Sequence, residues 1–294
     1  MQRFQVIEDE NLWNKSLNLI EFADPCHGFA FHKIYQLHQN ANSIKLLEYR
    51  ENDQFVLYPL IIYDVPNEIS KEKFKYATSA YGFTGHLIKG SEEFLDTAFS
   101  YIDDWIIKEK ICAEFVRFTP FLNWELERLE KYKYEISRNR ILAIWDTKYK
   151  SSKSDSLEYE CNMTKRAKKS GAIFREIKKD ELNLFQDLYK QTMLLNNADK
   201  FFFYSKEYFE NLYQNGLFQK NFIYGIFHNK KLIAAAWFLV FKNIAVYHLG
   251  CNNRDIPGVS NYVLKEGIRD LVMNKNVLKI NLTGGRTEDA KDSL

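Results

Sequence analysis

Hydrophobic positions along this chain fall into short alternating runs and helical stripes, and the two kinds recur in one order twice. A strand is read over 4–7, and Asp9 or Asn11 can cap a helix running to about residue 22. Asp24-Pro25 breaks the chain before a second helix over 27–39. Runs over 44–50 and 55–63 make strands about a turn at Glu51-Asn52-Asp53. Pro59 inside the second run lacks the N–H of a central ladder, so it marks an edge, a bulge or a parting of strands. Then follow a strand, or strand plus loop, over 76–87, an amphipathic helix over 92–110, a strand over 112–119, a helix over 124–132 and a strand over 134–145.

Residues 147–156 are Ser/Lys-rich and carry no apolar period, which places a boundary between a domain at 1–150 and one at 157–294. A basic helix over 159–170 carries Lys165, Arg166, Lys168 and Lys169 and stops at Gly171. A strand over 173–177, a helix from Asp180 to about 195 and a helix opened by Ser205 come next. Strands follow over 221–227, 231–243 and 244–253, then a Pro/Gly loop over 254–260, a helix from about Asn261 and a strand over 277–282. From Phe4 and again from Ile173 the order is β-α-α-β-β-β-α-β, an offset of about 170 residues, which is the mark of a repeated plan. Such an order gives an α/β fold with a mixed sheet, an antiparallel meander at one side and helices on both faces.

Composition narrows the class. With 294 residues, 46% of them hydrophobic, the chain can bury a large core, and a net charge of +2 argues against indiscriminate nucleic-acid binding. Cys26, Cys112, Cys161 and Cys251 are far apart and six histidines are scattered, so no metal site is expected. The N-terminus lacks a signal-peptide pattern and no apolar run approaches the ~18 residues of a membrane span, so a soluble cytoplasmic protein is expected. No Ser/His/Asp order, H-E-x-x-H or P-loop lysine motif stands out.

Several segments carry a resemblance: residues 81–85, 116–120, the basic stretch 162–171, 202–209, Tyr247-His248-Leu249-Gly250-Cys251-Asn252, and Ile280-Asn281-Leu282-Thr283-Gly284-Gly285-Arg286. In order and spacing they resemble the N-acetyltransferase superfamily, and within it the two-domain Fem group. That resemblance implies two tandem acetyltransferase-like domains and transfer of an acyl or aminoacyl group from acyl-CoA or aminoacyl-tRNA. The acceptor it implies is an amine on a cell-envelope precursor, as in peptidoglycan or polysaccharide assembly, or on a sugar-nucleotide precursor, with tRNA a possible partner. The loop Arg254-Asp255-Ile256-Pro257-Gly258-Val259-Ser260 has one residue more before its glycine than the usual acetyl-CoA pattern.

The resemblance implies that backbone N–H groups where two neighbouring strands splay supply both alignment and oxyanion donors, so the chemistry leaves a faint trace in sequence. The expected fork lies at 247–253, with the second domain as the transferring one. Tyr247 or His248 is either the catalytic acid or base there, or a strand residue with a packing role. Asn252, Asn253 and Arg254 either touch a cofactor or form a turn, and Gly258, Ser260 and Asn261 either bind a phosphate at a helix start or cap it. Tyr81, Gly82 and His86 either line a substrate groove or pack a bend, and Gly284, Gly285 and Arg286 either clamp a substrate anion or turn the chain. The alternative to an acyltransferase is a non-catalytic ligand-binding protein built on a degenerate pair of such domains.

Overall fold

Two six-stranded mixed sheets carry the chain, one in each of two units, Met1–Asn139 and Arg140–Leu294. The computed structural model describes residues 3–122, 124, 126–137, 141–149, 157, 160–214 and 220–284. In the first unit the elements are β1 (Phe4–Ile7), α1 (Glu10–Asn18), α2 (Phe29–His38), β2 (Ser43–Glu51), β3 (Gln54–Asp64), β4 (Lys75–Thr78), β5 (Leu87–Lys89), α3 (Glu92–Lys108) and β6 (Ile111–Phe115). The sheet order is β1-β2-β3-β4-β6, with β5 also on β3.

Local chemistry explains the ends. The Asp9 carboxylate accepts from Leu12 N at 2.9 Å and starts α1, which stops at Asn18, short of residue 22. Asp24 caps a 3-10 turn, Pro25–His27, and the second helix begins only at Phe29. Pro59 sits in β3 opposite Leu46 of β2. On the other side of β3, β5 pairs with 55–57 and β4 with 61–64, so Pro59 falls where those two strands part. Residues 126–132 form a 3-10 helix, and Tyr134 and Ile136 pack on the first unit's core.

The second unit holds β7 (Leu142–Asp146), α4 (Asn162–Lys169), β8 (Ile173–Glu176), α5 (Leu182–Leu195), α6 (Lys206–Gln214), β9 (Lys220–His228), β10 (Lys231–Phe241), β11 (Ile244–Asn252), α7 (Val259–Asn274) and β12 (Lys279–Gly284). Its order is β7-β12-β11-β10-β9-β8. The run 134–145 is therefore not one strand of the first half. Only its end is a strand, and it pairs antiparallel with β12, Asp146 opposite Lys279. The chain divides before residue 140 rather than within 147–156, because β12 offers an edge that β7 completes; residues 150–156 lie outside the described ones.

One face of this sheet packs on α7 through Ala234, Ala236, Phe238, Ala245 and Ile280. The other carries Trp237, wholly buried against Phe185 of α5 and Phe209 of α6. The basic helix α4 is not a uniformly solvated face. Lys168 Nζ bonds Glu266 of α7 at 2.8 Å and also Glu160, and lies over the Tyr262 ring, which ties α4 to α7. Among the described residues no helix is long and apolar enough to cross a membrane.

Candidate active site

The parallel strands β11 and β12 pair over three positions only, Ile244 with Lys279, Ala245 with Ile280 and Val246 with Asn281. Both run on, β11 to Asn252 and β12 to Gly284, with no further pairing between them. Each strand bulges just past the last rung. On β11, Trp237 faces Leu249 while Phe238 faces Tyr247, so His248 is the extra residue. On β12, Asn281 faces Ile144 while Gly284 faces Leu142, which puts one extra residue in 282–283, where Thr283 has φ +65°. A bulge bends its strand and sharpens its twist, and two of them on facing strands open a fork.

The far end of β11 is held away from β12 by α5. Asn252 N donates to Thr192 Oγ1 at 3.0 Å, and that hydroxyl also lies 3.0 Å from the Asn252 carbonyl oxygen. Asn253 N instead donates to Ile233 of β10 at 3.0 Å. Since backbone groups alternate sides along a strand, Gly250, two residues before Asn252, turns its N–H and C=O into the fork. A side chain at Gly250 would collide with the Tyr247 hydroxyl.

Tyr247 and His248 face opposite sides. Tyr247 packs beside Phe238 on the α7 face, and burial pushes its phenol well up. His248 lies on the α5/α6 face with Nε2 2.8 Å from the Tyr208 hydroxyl, and Tyr208 in turn stacks on Tyr204 at 3.9 Å. Burial lowers the His248 pKa to about 3, so the ring stays neutral at ordinary pH.

The loop after β11 is built largely of its own side chains. Asn252 Oδ1 accepts from Arg254 N at 3.1 Å, Asn253 and Asp255 bond each other, and the Arg254 guanidinium reaches Asn196 at the end of α5. Gly258, at φ +88°, is the cap residue of α7 and supplies no side-chain cap. The helix thus begins at Val259, two residues earlier than expected, and Ser260 and Asn261 lie in its first turn rather than before it. A Cβ on Gly258 would come within 2.5 Å of the Met163 carbonyl oxygen, so the first turn of α4 abuts this helix start. Beyond Val246 the fork edge of β11 has no pairing to β12 among the described residues, and the start of α7 lies beside that carbonyl.

In the first unit the corresponding strands do not part. β4 and β6 are paired from Lys75–Ile111 to Thr78–Phe115, and Ser79 N continues to the Phe115 carbonyl at 3.0 Å. Tyr81 has the Arg117 guanidinium 5.3 Å from its ring centre, and Gly82 sits against Phe31 and Cys26. His86 is wholly buried, stacked 3.7 Å from the Tyr58 ring centre and 3.2 Å from the Tyr134 hydroxyl, with its pKa lowered to about 3 by burial. His86 is thus taken up in packing of the first unit, while Tyr81 and Gly82 stay half-buried. Gly284 ends β12, and Gly285 and Arg286 lie outside the described residues. The fork also uses Thr192, Tyr208, Gly250 and Asn281, which sequence reasoning passed over. Tyr208, Gly250 and Asn281 do lie within segments that carry the family resemblance, whereas Thr192 has no such signal.

No family model and no curated protein matches the sequence. Solved structures match it by shape. FemX aligns over 98% of this chain and 90% of its own, with TM-score 0.70 and 12% identity. A tandem GNAT protein from the clavulanic acid biosynthesis pathway aligns over 99% and 91%, with TM-score 0.50 and 9% identity. The fold is that of two tandem acetyltransferase-like domains. The C-terminal domain of a putative lysylphosphatidylglycerol synthetase from Agrobacterium fabrum shares it over 94% of this chain and 80% of that one, with TM-score 0.59 and 14% identity.

Proposed function

We propose that the protein is an N-acyltransferase whose second unit moves an acyl or aminoacyl group from a CoA thioester or an aminoacyl-tRNA ester to an amine. The observation that carries this reading is the fork: two bulged parallel strands that part after Val246 and Asn281, with a free backbone edge on β11. Such an opening holds a carbonyl in line beside fixed N–H donors, where alignment contributes about 7–11 kcal/mol and each oxyanion donor about 2.7–4 kcal/mol. The neutral acceptor amine attacks the carbonyl carbon, and the C=O π pair moves onto oxygen. As the carbonyl re-forms, the thiolate or ribose oxygen departs and takes up a proton, while the new amide nitrogen loses one to solvent or a nearby base. His248 cannot store a proton near neutrality, so it serves through its bond to Tyr208 as a fixed dipole beside the acceptor. The first turn of α7, Ser260 and Asn261 included, receives the donor's phosphate end. The acceptor class is an amine on an envelope or sugar-nucleotide precursor, and the setting is the cytoplasm, in keeping with the fold shared with FemX.

A second reading, ligand binding without transfer, draws on a hollow of about 680 Å³ in the first unit, lined by Asp103, Glu114, Phe118, Tyr132 and Tyr134 among others. Burial raises the pKa of Asp103 and Glu114 there. Incubation of the purified protein with acetyl-CoA or alanyl-tRNA and a panel of amino sugars, UDP-linked precursors and peptide amines separates the two. Acylated product with matching release of thiol or uncharged tRNA supports transfer; no product from either donor, with ligand bound in the first unit, replaces it by the second reading.

A further inference from the structure

Asn281 is wholly buried on the last rung of the fork, and half of its amide is unused. Its Oδ1 accepts from Thr283 N at 2.8 Å. A backbone N–H can only donate, so this bond fixes which branch is oxygen and leaves Nδ2 as the other. Nδ2 has no hydrogen-bond partner among the described residues. Buried side-chain donors are nearly always paired, so one left open beside an opening calls for an occupant. Its face is also set. Ile280 and Leu282 pack on the α7 side, so Asn281 between them points to the other side, where His248 lies.

We propose that Asn281 Nδ2 is a substrate-contacting donor that hydrogen-bonds the carbonyl oxygen of the transferred acyl group. This rests on the acyltransferase reading above and adds to it a side-chain donor from β12, opposite the backbone donor of Gly250 on β11. During attack the electron pair pushed onto the carbonyl oxygen is met from both strands, and it returns to carbon when the thiolate or ribose oxygen leaves. The same contact selects donors: a carbonyl is held, and a deacylated carrier leaves the amide open.

The test uses unreactive probes on the full chain. These are a ketone analogue of acetyl-CoA and an amide-linked alanyl-tRNA, each with a ¹³C carbonyl and each set beside its carbonyl-free counterpart, CoA or uncharged tRNA. For whichever carrier the protein takes, the wild type should prefer the carbonyl form by about fivefold or more, and the bound ¹³C carbonyl stretch should fall in frequency. Asn281→Asp keeps the oxygen that Thr283 needs and, when ionised, puts a charged acceptor where the donor stood; it and Asn281→Ala should lose both the preference and the frequency shift, with affinity for the carbonyl-free carrier kept within about twofold for Asn281→Ala. Variants that keep the preference overturn the role of Asn281 and leave the acyltransferase reading intact. A wild type that binds neither carrier overturns both. Should the variants not fold, ¹⁵N-asparagine labelling of the wild type decides: a side-chain amide signal that moves with the ketone analogue or amide-linked tRNA, and not with its carbonyl-free counterpart, supports the contact, and its absence refutes it.

Discussion

Thr192 sets how far β11 stands from its neighbour. Its hydroxyl accepts from Asn252 N and shares its proton between the Asn252 and Leu188 carbonyls, so Thr192→Val leaves a half-buried N–H without its partner. Unfolding in urea should show a loss of about 1–3 kcal/mol, and transfer should fall as well. His32 and His86 are buried and His248 is half-buried, and desolvation lowers the pKa of each from 6.5 to about 3. The unfolded chain takes up these protons first, so the stability they confer is complete above pH 6.5 and is lost as pH falls toward 3. His86→Phe removes one of the three. The difference in unfolding free energy between wild type and this variant should shrink by about 2 kcal/mol from pH 7 to pH 5. A pH-independent difference would mean that His86 is already matched in its charged form.

At the scale of elements, the bulge at His248 works with the bulge on β12 and the α5 tether to part the strands. Deleting His248 lets Tyr247 and Leu249 keep their faces and their partners on β10, so the sheet should fold with unchanged circular dichroism. The fork would narrow, and misplacement by about 1 Å lowers rates by about 100-fold, so transfer should fall at least that far in a steady-state assay. The order of elements was legible in the sequence, and the expectation of parting strands near 247–253 came from the resemblance of its segments to the acetyltransferase superfamily. The side chains of the fork were not legible. Bulges depend on register across strands, and neither the Thr192 tether nor the open amide of Asn281 leaves a local pattern. Likewise Asn252, Asn253 and Arg254 carry turn chemistry as visibly as binding chemistry, and only their bonds to one another and to α5 show how they are held.

At the scale of the whole molecule, the two halves repeat one plan yet differ where it matters: β4 and β6 stay paired where β11 and β12 part. The repeat was readable from the order of hydrophobic runs. The division near residue 140 was not, since a strand's partner is a long-range fact, and 134–145 reads as a continuous run. A fragment of residues 140–294 should therefore unfold in one cooperative step. A fragment of 157–294 lacks β7 and bares the outer edge of β12, and size-exclusion chromatography should show it aggregated.

The place of β7 also has a bearing on synthesis. It leaves the ribosome more than a hundred residues ahead of β12, the strand it pairs with among the described residues. At ordinary elongation rates that is a wait on the order of ten seconds. Throughout that interval the nascent second sheet lacks its border strand pairing.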